Sequence, residues 1–270
     1  MFDITKDDLI DILRSIDAGK LQLPEFQRSY VWELPIRFYH WLNALCILTL
    51  IVTGFIIANP PAINNGSEAA FSYWFGTTRF IHFAAAYIFV FNLLVRIYWG
   101  FVGNQYANWK NFLPLRRAQY REIFTVLRVD ILETSNKVIV AIGHNALAYL
   151  TYTVLFLVSL FQVASGFALY AKMSHWWLPQ LFTWMLPLFG GDASLRNWHH
   201  FATWFFIVFT IIHVYLVFYH DYVEGHGVIS SMAGGWKFLP TRHREAVQGK
   251  SWFTVGKASP PHPGRPGPPP

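Results

Sequence analysis

Charge is what this sequence has least of. Only 13% of its 270 residues are Asp, Glu, Lys or Arg, about half the share of an ordinary soluble domain. That deficit excludes a water-soluble globule of this length. Cysteine is nearly absent as well. Cys46 stands alone, so the chain makes no internal disulfide, no cysteine-rich zinc or iron–sulfur site and no CxxCH motif for covalent cofactor attachment. What is present is apolar and aromatic: 54% hydrophobic residues, with 25 Phe, 13 Tyr and 12 Trp. So much apolar surface excludes disorder over most of the chain and makes a lipid bilayer its natural solvent. Histidine, in eleven copies, is the remaining soft ligand.

A helix needs about 20 mostly apolar residues to cross roughly 30 Å of hydrocarbon. Four stretches qualify: about Ile36 to Ala58, Thr78 to Val102, Ala146 to Ala171 and Trp198 to His220. None resembles a cleavable signal peptide. A fifth, Met173 to Gly191, carries Pro179 and Pro187 together with Trp176, Trp177 and Trp184. Proline breaks a free helix and tryptophan collects at headgroup depth, so this stretch is expected as a broken hairpin lying on the membrane.

The loop from Asn59 to Thr77 has no Lys or Arg, and the loop from Lys172 to Asn197 has only Lys172 and Arg196. Lys110, Arg116, Arg117, Arg121, Arg128 and Lys137 all follow the second span. The positive-inside rule then gives an all-α integral membrane protein, a four-helix up-down bundle with both termini cytoplasmic. The formal net charge of +6 becomes a topology signal and a match to anionic lipid, with no nucleic acid as partner. Residues 1–29 form a cytoplasmic extension, in which Thr5 to Asp8 caps a short helix from Lys6 to Ala18. Residues 30–236 form the membrane domain. Residues 237–270 form a cytoplasmic tail, Pro-rich from 259 and therefore extended or disordered.

An ionisable side chain inside a span is a functional hypothesis by default. His40, His82, His199 and His213 qualify, and three follow an arginine by three residues, in the pairs Arg37/His40, Arg79/His82 and Arg196/His199. Residues three apart share a helix face. An arginine at the water boundary with a histidine one turn deeper suits a haem, whose propionates seek cations while its iron takes imidazole. Arginine snorkelling with histidines bonded between helices is the plainer alternative. In the fourth span His199 and His213 are fourteen residues apart, which brings them within about 40° of one face and about 21 Å apart along the axis. That spacing fits two stacked haems, one near each membrane surface, held non-covalently because no CxxCH is present. His200 would point about 140° away from His213 and is the neighbouring alternative to His199. Depth pairs His82 with His199 and His40 with His213. Gly54 and Gly166, each beside an aromatic, leave room for a flat ring, although small residues also serve plain helix packing. Two axial imidazoles leave no open iron position, so the chemistry expected is single-electron transfer.

These residues resemble a known family. The run from Tyr30 to Trp41, then Val52 to Phe55, Arg79 to His82, Arg96 to Asn104, Gly143 to Asn145, Ser165 to Tyr170, Arg196 to His200, His213 to Tyr215, Ile229 to Met232 and Gly235-Trp236 is similar to the cytochrome b subunit of membrane-bound nickel–iron hydrogenases. The resemblance covers about Tyr30 to Lys250. It implies a subunit of the bacterial cytoplasmic membrane that anchors the small and large subunits of a periplasmic hydrogenase. It also implies that electrons pass from their iron–sulfur chain through b haems to quinone, with His40, His82, His199 and His213 matching the family's haem ligands. His220 departs from the family, which often has arginine there. Leu23 to Trp32 looks like the opening of a ParB-like nuclease or NTPase domain; no nucleotide chemistry is assigned to Gln27 or Arg28.

Secondary candidates are His144, Asp221, Glu224 and His226 for quinone binding or proton supply, or as ordinary interfacial and solvated groups. Tyr73, Trp74 and the hairpin are candidates for partner docking, or form an aromatic belt. The alternative electron-transfer reading is the cytochrome b subunit of a formate dehydrogenase or related reductase. The rival from another class is a haem-free membrane transporter or structural protein.

Overall fold

The computed structural model describes residues 26–62, 73–109, 123, 138–140, 146–224, 227–240 and 254–256. The elements are β1 (Phe26–Tyr30), α1 (Leu34–Ala58), α2 (Trp74–Val102), β2 (Val138–Val140), α3 (Ala146–Tyr170), α4 (Trp177–Gln180), α5 (Met185–Leu188), α6 (Asp192–Glu224), α7 (Val228–Gly234), β3 (Trp236–Pro240) and β4 (Thr254–Gly256). Among the described residues four helices, α1, α2, α3 and α6, are long and apolar enough to cross a membrane. Even α1, with 25 residues, is about 37 Å long and exceeds the hydrocarbon thickness. Large apolar side chains such as Phe38, Leu48, Phe80, Phe91, Ile211 and Phe218 face outward, where lipid is the solvent that tolerates them. α1 packs on α2, α3 on α6, and α1 on α6.

The helices outrun the apolar windows. α2 begins at Trp74 rather than Thr78, and α6 at Asp192 rather than Trp198. A hydropathy window stops at the first charge, but a carboxylate in the first turn, here Asp192, favours a helix N-terminus. α1 starts with Pro35 in its first turn, where the missing N–H costs nothing. It ends before Pro60 and Pro61, which cannot continue it.

The all-α expectation narrows to mostly helical. Among the described residues there are two short antiparallel pairs, β1 with β3 and β2 with β4. Tyr30 opposes Trp236 and Phe26 opposes Pro240, so the segment boundaries near residues 29 and 236 fall inside paired strands. Apolar runs report only what lies in hydrocarbon, whereas these segments flank the spans and satisfy their backbone on each other. The short helix expected from Lys6 to Ala18 and the Pro-rich tail lie outside the described residues.

At this strand end a clasp joins remote parts of the chain. Val31 and Trp32 N–H both donate to Gly235 O, at 2.9 and 3.2 Å. Glu33 Oε2 accepts from Trp99 Nε1 at 2.8 Å and from the Asn104 N–H at 2.9 Å. Asn104 Nδ2 donates to Val31 O at 3.0 Å, Arg37 donates to Ala233 O, and Trp41 Nε1 donates to Met232 O at 3.1 Å. Val31, Trp32, Ile36 and Ala107 are buried beneath these bonds. Gly235 has φ +88°, and a Cβ there would lie 2.7 Å from Trp32 O, so only glycine fits.

At the other end, α4 and α5 form the broken hairpin between α3 and α6. Met185 is buried against Ala168 and Leu195, and Lys172 pairs with Asp192 at 2.8 Å across the base. Both partners are exposed, so the pair orients the hairpin more than it stabilises it.

Glu33→Ala leaves the Trp99 and Asn104 donors unmet, a loss of about 1–3 kcal/mol. The expected outcome is a lower unfolding midpoint in detergent, with Glu33→Gln intermediate because it keeps one acceptor oxygen. An unchanged midpoint for Glu33→Ala would show that the clasp contributes nothing.

Candidate haem-binding core

In hydrocarbon every polar group must be met from within the protein. The helix hydroxyls do so by donating to the carbonyl one turn back: Thr49 to Leu45 at 2.8 Å, Thr53 to Thr49 at 2.6 Å, Ser159 to Leu155 and Ser165 to Phe161 each at 2.7 Å. Two of these hydroxyls also touch an imidazole. Thr53 Oγ1 is 2.8 Å from His82 Nδ1, and Ser165 Oγ is 2.7 Å from His199 Nδ1. The next residue in each case is glycine. A Cβ on Gly54 would sit 3.5 Å from His82 Cε1, and one on Gly166 would sit 3.3 Å from His199 Cε1. α1 therefore cradles the ring of α2, and α3 cradles the ring of α6, by the same hydroxyl–glycine pair. The neighbouring His200 packs edge-on to Phe55 instead, at 4.8 Å.

His40 and His213 meet toward the strand end, with ring centroids 6.2 Å apart and planes inclined at 55°. Phe209 stacks on the His213 ring at 5.1 Å. His40 Nδ1 is buried and has no hydrogen-bond partner among the described residues.

The arginines differ among themselves. Arg37 is held by the Ala233 carbonyl in the clasp. Arg79 donates to the Met173 sulfur and borders a cavity of about 340 Å³ with Gly76, Phe80, Phe83, Tyr170 and Met173. Arg196 is exposed near the start of α6. Asp221 accepts the Ile229 N–H at 3.1 Å and so tethers α7. His220 lies against Tyr219. Glu224 closes α6, while His144 and His226 lie outside the described residues.

One cluster escaped the sequence reading. Arg96 is buried, donates to Ala107 O at 3.2 Å and lies over the Tyr152 ring at 5.3 Å. Tyr152 interacts electrostatically with Tyr39, the neighbour of His40, and buried Asn92 donates to Tyr39 O at 3.0 Å. The signal was there. The fourteen-residue step from His199 to His213 recurs from His40 to Gly54, from His82 to Arg96 and from Tyr152 to Gly166. Each membrane helix thus carries two facing positions about 21 Å apart.

The residues present fit a haem on three counts. No group of three or more His, Cys, Asp or Glu side chains gathers among the described residues, whereas a bare zinc ion needs three or four protein ligands. A porphyrin brings its own equatorial nitrogens and needs only two axial imidazoles. With each metal–nitrogen bond about 2 Å, two imidazoles across one iron stand roughly 6 Å apart centre to centre, and His40 and His213 are at 6.2 Å. The unmatched His40 nitrogen and the two glycine cradles are the remaining counts.

An apolar multi-pass bundle that brings histidines of different helices together, as His40 of α1 and His213 of α6, has the architecture of a haem-binding membrane protein. More particularly, the chain belongs to the prokaryotic cytochrome b561 family, whose pattern matches residues 31–235. As a b-type cytochrome it carries haem b and transfers electrons in the membrane. It is 38% identical over 227 residues to the probable Ni/Fe-hydrogenase B-type cytochrome subunit of Cupriavidus necator, covering 83% of this chain and 91% of that one. It is 40% identical over 216 residues to the protein of the same name from Azotobacter vinelandii, covering 78% and 88%. With the probable Ni/Fe-hydrogenase 1 B-type cytochrome subunit of Escherichia coli K12 it shares 34% identity over 214 residues, covering 77% and 90%.

Gly54→Leu and Gly166→Leu fill the cradles and are expected to lower the haem bound per chain, measured by pyridine haemochrome. Gly234→Leu, where an added Cβ meets nothing within 4 Å, is expected to leave it unchanged. Equal haem content in all three would mean that the glycines serve packing alone.

Proposed function

We propose that the chain anchors a periplasmic nickel–iron hydrogenase in the bacterial cytoplasmic membrane and delivers electrons from that partner's iron–sulfur chain to membrane quinone. The four membrane helices alternate up and down with both termini cytoplasmic, which turns the hairpin end toward the periplasm. Two non-covalent b haems are held by axial histidine pairs. His82 and His199 hold the one nearer the periplasm, and His40 and His213 the other. Haem supplies reversible one-electron carriage, and two imidazoles leave no open position for oxygen chemistry. Arg37, Arg79 and Arg196 offer cations to propionates at the water boundary, and Gly54 and Gly166 make room for the flat ring. At the periplasmic end Tyr73, Trp176, Trp177 and Trp184 are exposed and give the partner an aromatic docking surface.

The observation that carries this reading is the similarity to Ni/Fe-hydrogenase B-type cytochrome subunits over 83% of the chain. All four histidines lie inside the family region, residues 31–235.

Affinity purification of the tagged chain from its native membrane tests the reading. Nickel–iron hydrogenase subunits are expected to come with it, and the preparation is expected to reduce quinone at the expense of hydrogen. Copurification of a formate dehydrogenase instead would move the chain to that class. A reduced-minus-oxidised spectrum without a b-type α band would leave a haem-free membrane protein. His82→Ala is expected to remove one haem and spare the other; retention of both would refute the pairing.

A further inference from the structure

We propose that Thr53 and Ser165 are positioning residues that hold His82 and His199 in the Nδ1–H tautomer, so that each Nε2 is committed to iron. The inference rests on the reading of these histidines as axial ligands. A hydroxyl has one proton to donate and two lone pairs with which to accept. Thr53 gives its proton to Thr49 O at 2.6 Å, and Ser165 gives its proton to Phe161 O at 2.7 Å. Each oxygen can then only accept from the imidazole it touches, at 2.8 Å for His82 Nδ1 and 2.7 Å for His199 Nδ1. The ring proton therefore sits on Nδ1, and the lone pair is on Nε2, the nitrogen free for a metal.

The same device appears on two different helices, each time with glycine next in sequence against the ring's Cε1 edge. The hydroxyl fixes the rotation of the imidazole, and the glycine keeps its flank open. His40 has no such partner on Nδ1 among the described residues, so the two levels of the bundle are chemically unequal. An Nδ1–H that donates a hydrogen bond makes the opposite nitrogen a stronger ligand. A stronger ligand favours ferric over ferrous iron and lowers the reduction potential of the haem at the His82–His199 level relative to an otherwise equal site.

Potentiometric titration of the purified holoprotein, followed in the α band, tests this. Thr53→Val keeps the shape and removes the acceptor. It is expected to move one of two titrating components to higher potential and leave the other in place. Ser165→Ala should move that same component in the same direction, and Thr53→Ser should restore the wild-type curve. Where Thr53→Val sheds haem, as the roughly 10–100-fold loss of affinity typical of outer-shell substitutions would allow, Ser165→Ala decides by the same criterion. Wild-type titration of both variants at full haem content overturns the proposal, as does an equal shift of both components or failure of Thr53→Ser to restore the curve. His82→Ala and His199→Ala separate the two levels of failure. If either keeps both haems, the axial assignment is wrong; if each loses one while the hydroxyl variants stay silent, only the positioning role is wrong.

Discussion

Hydrocarbon forms no hydrogen bonds, and the placement of polar side chains in this protein answers to that constraint. A hydroxyl on a membrane helix returns its proton to its own backbone, as Thr49, Thr53, Ser159 and Ser165 do. An imidazole has no backbone carbonyl within easy reach and must be met by a neighbouring helix or by a metal. His82 and His199 are met on one nitrogen by Thr53 and Ser165, whereas Nδ1 of His40 is met by nothing among the described residues. The helices have to pack where these needs coincide, so the polar residues set the register of a bundle whose apolar faces would slide freely in lipid.

Much of this was readable in the order of residues because the relevant periods are helical. Apolar runs located four helices, and the fourteen-residue step placed His199 and His213 on one side of α6. The structure brings His40 and His213 to a ring separation of 6.2 Å.

Two features stayed hidden for a different reason. Within a single helix the Thr53 and Ser165 hydroxyls are satisfied by the preceding turn; the second contact exists only once α1 meets α2 and α3 meets α6. Arg96 stands near the end of an apolar run, where an arginine is ordinary, yet it is buried against Tyr152, which belongs to α3. The strand pairing of β1 with β3 was equally out of reach, because nothing in a five-residue segment points to its partner across the whole membrane domain. Extra-membrane segments were read as appendages, and the clasp shows two of them built into the fold.

That clasp also fixes an order of events in biogenesis. Arg37 and Ala233 lie 196 positions apart, so the contact between them cannot form until the ribosome has delivered nearly the entire polypeptide. Until then Glu33, Trp99 and Asn104 can assemble, but the seam that Gly235 completes stays open, and the first helices wait in the bilayer as a half-built sleeve.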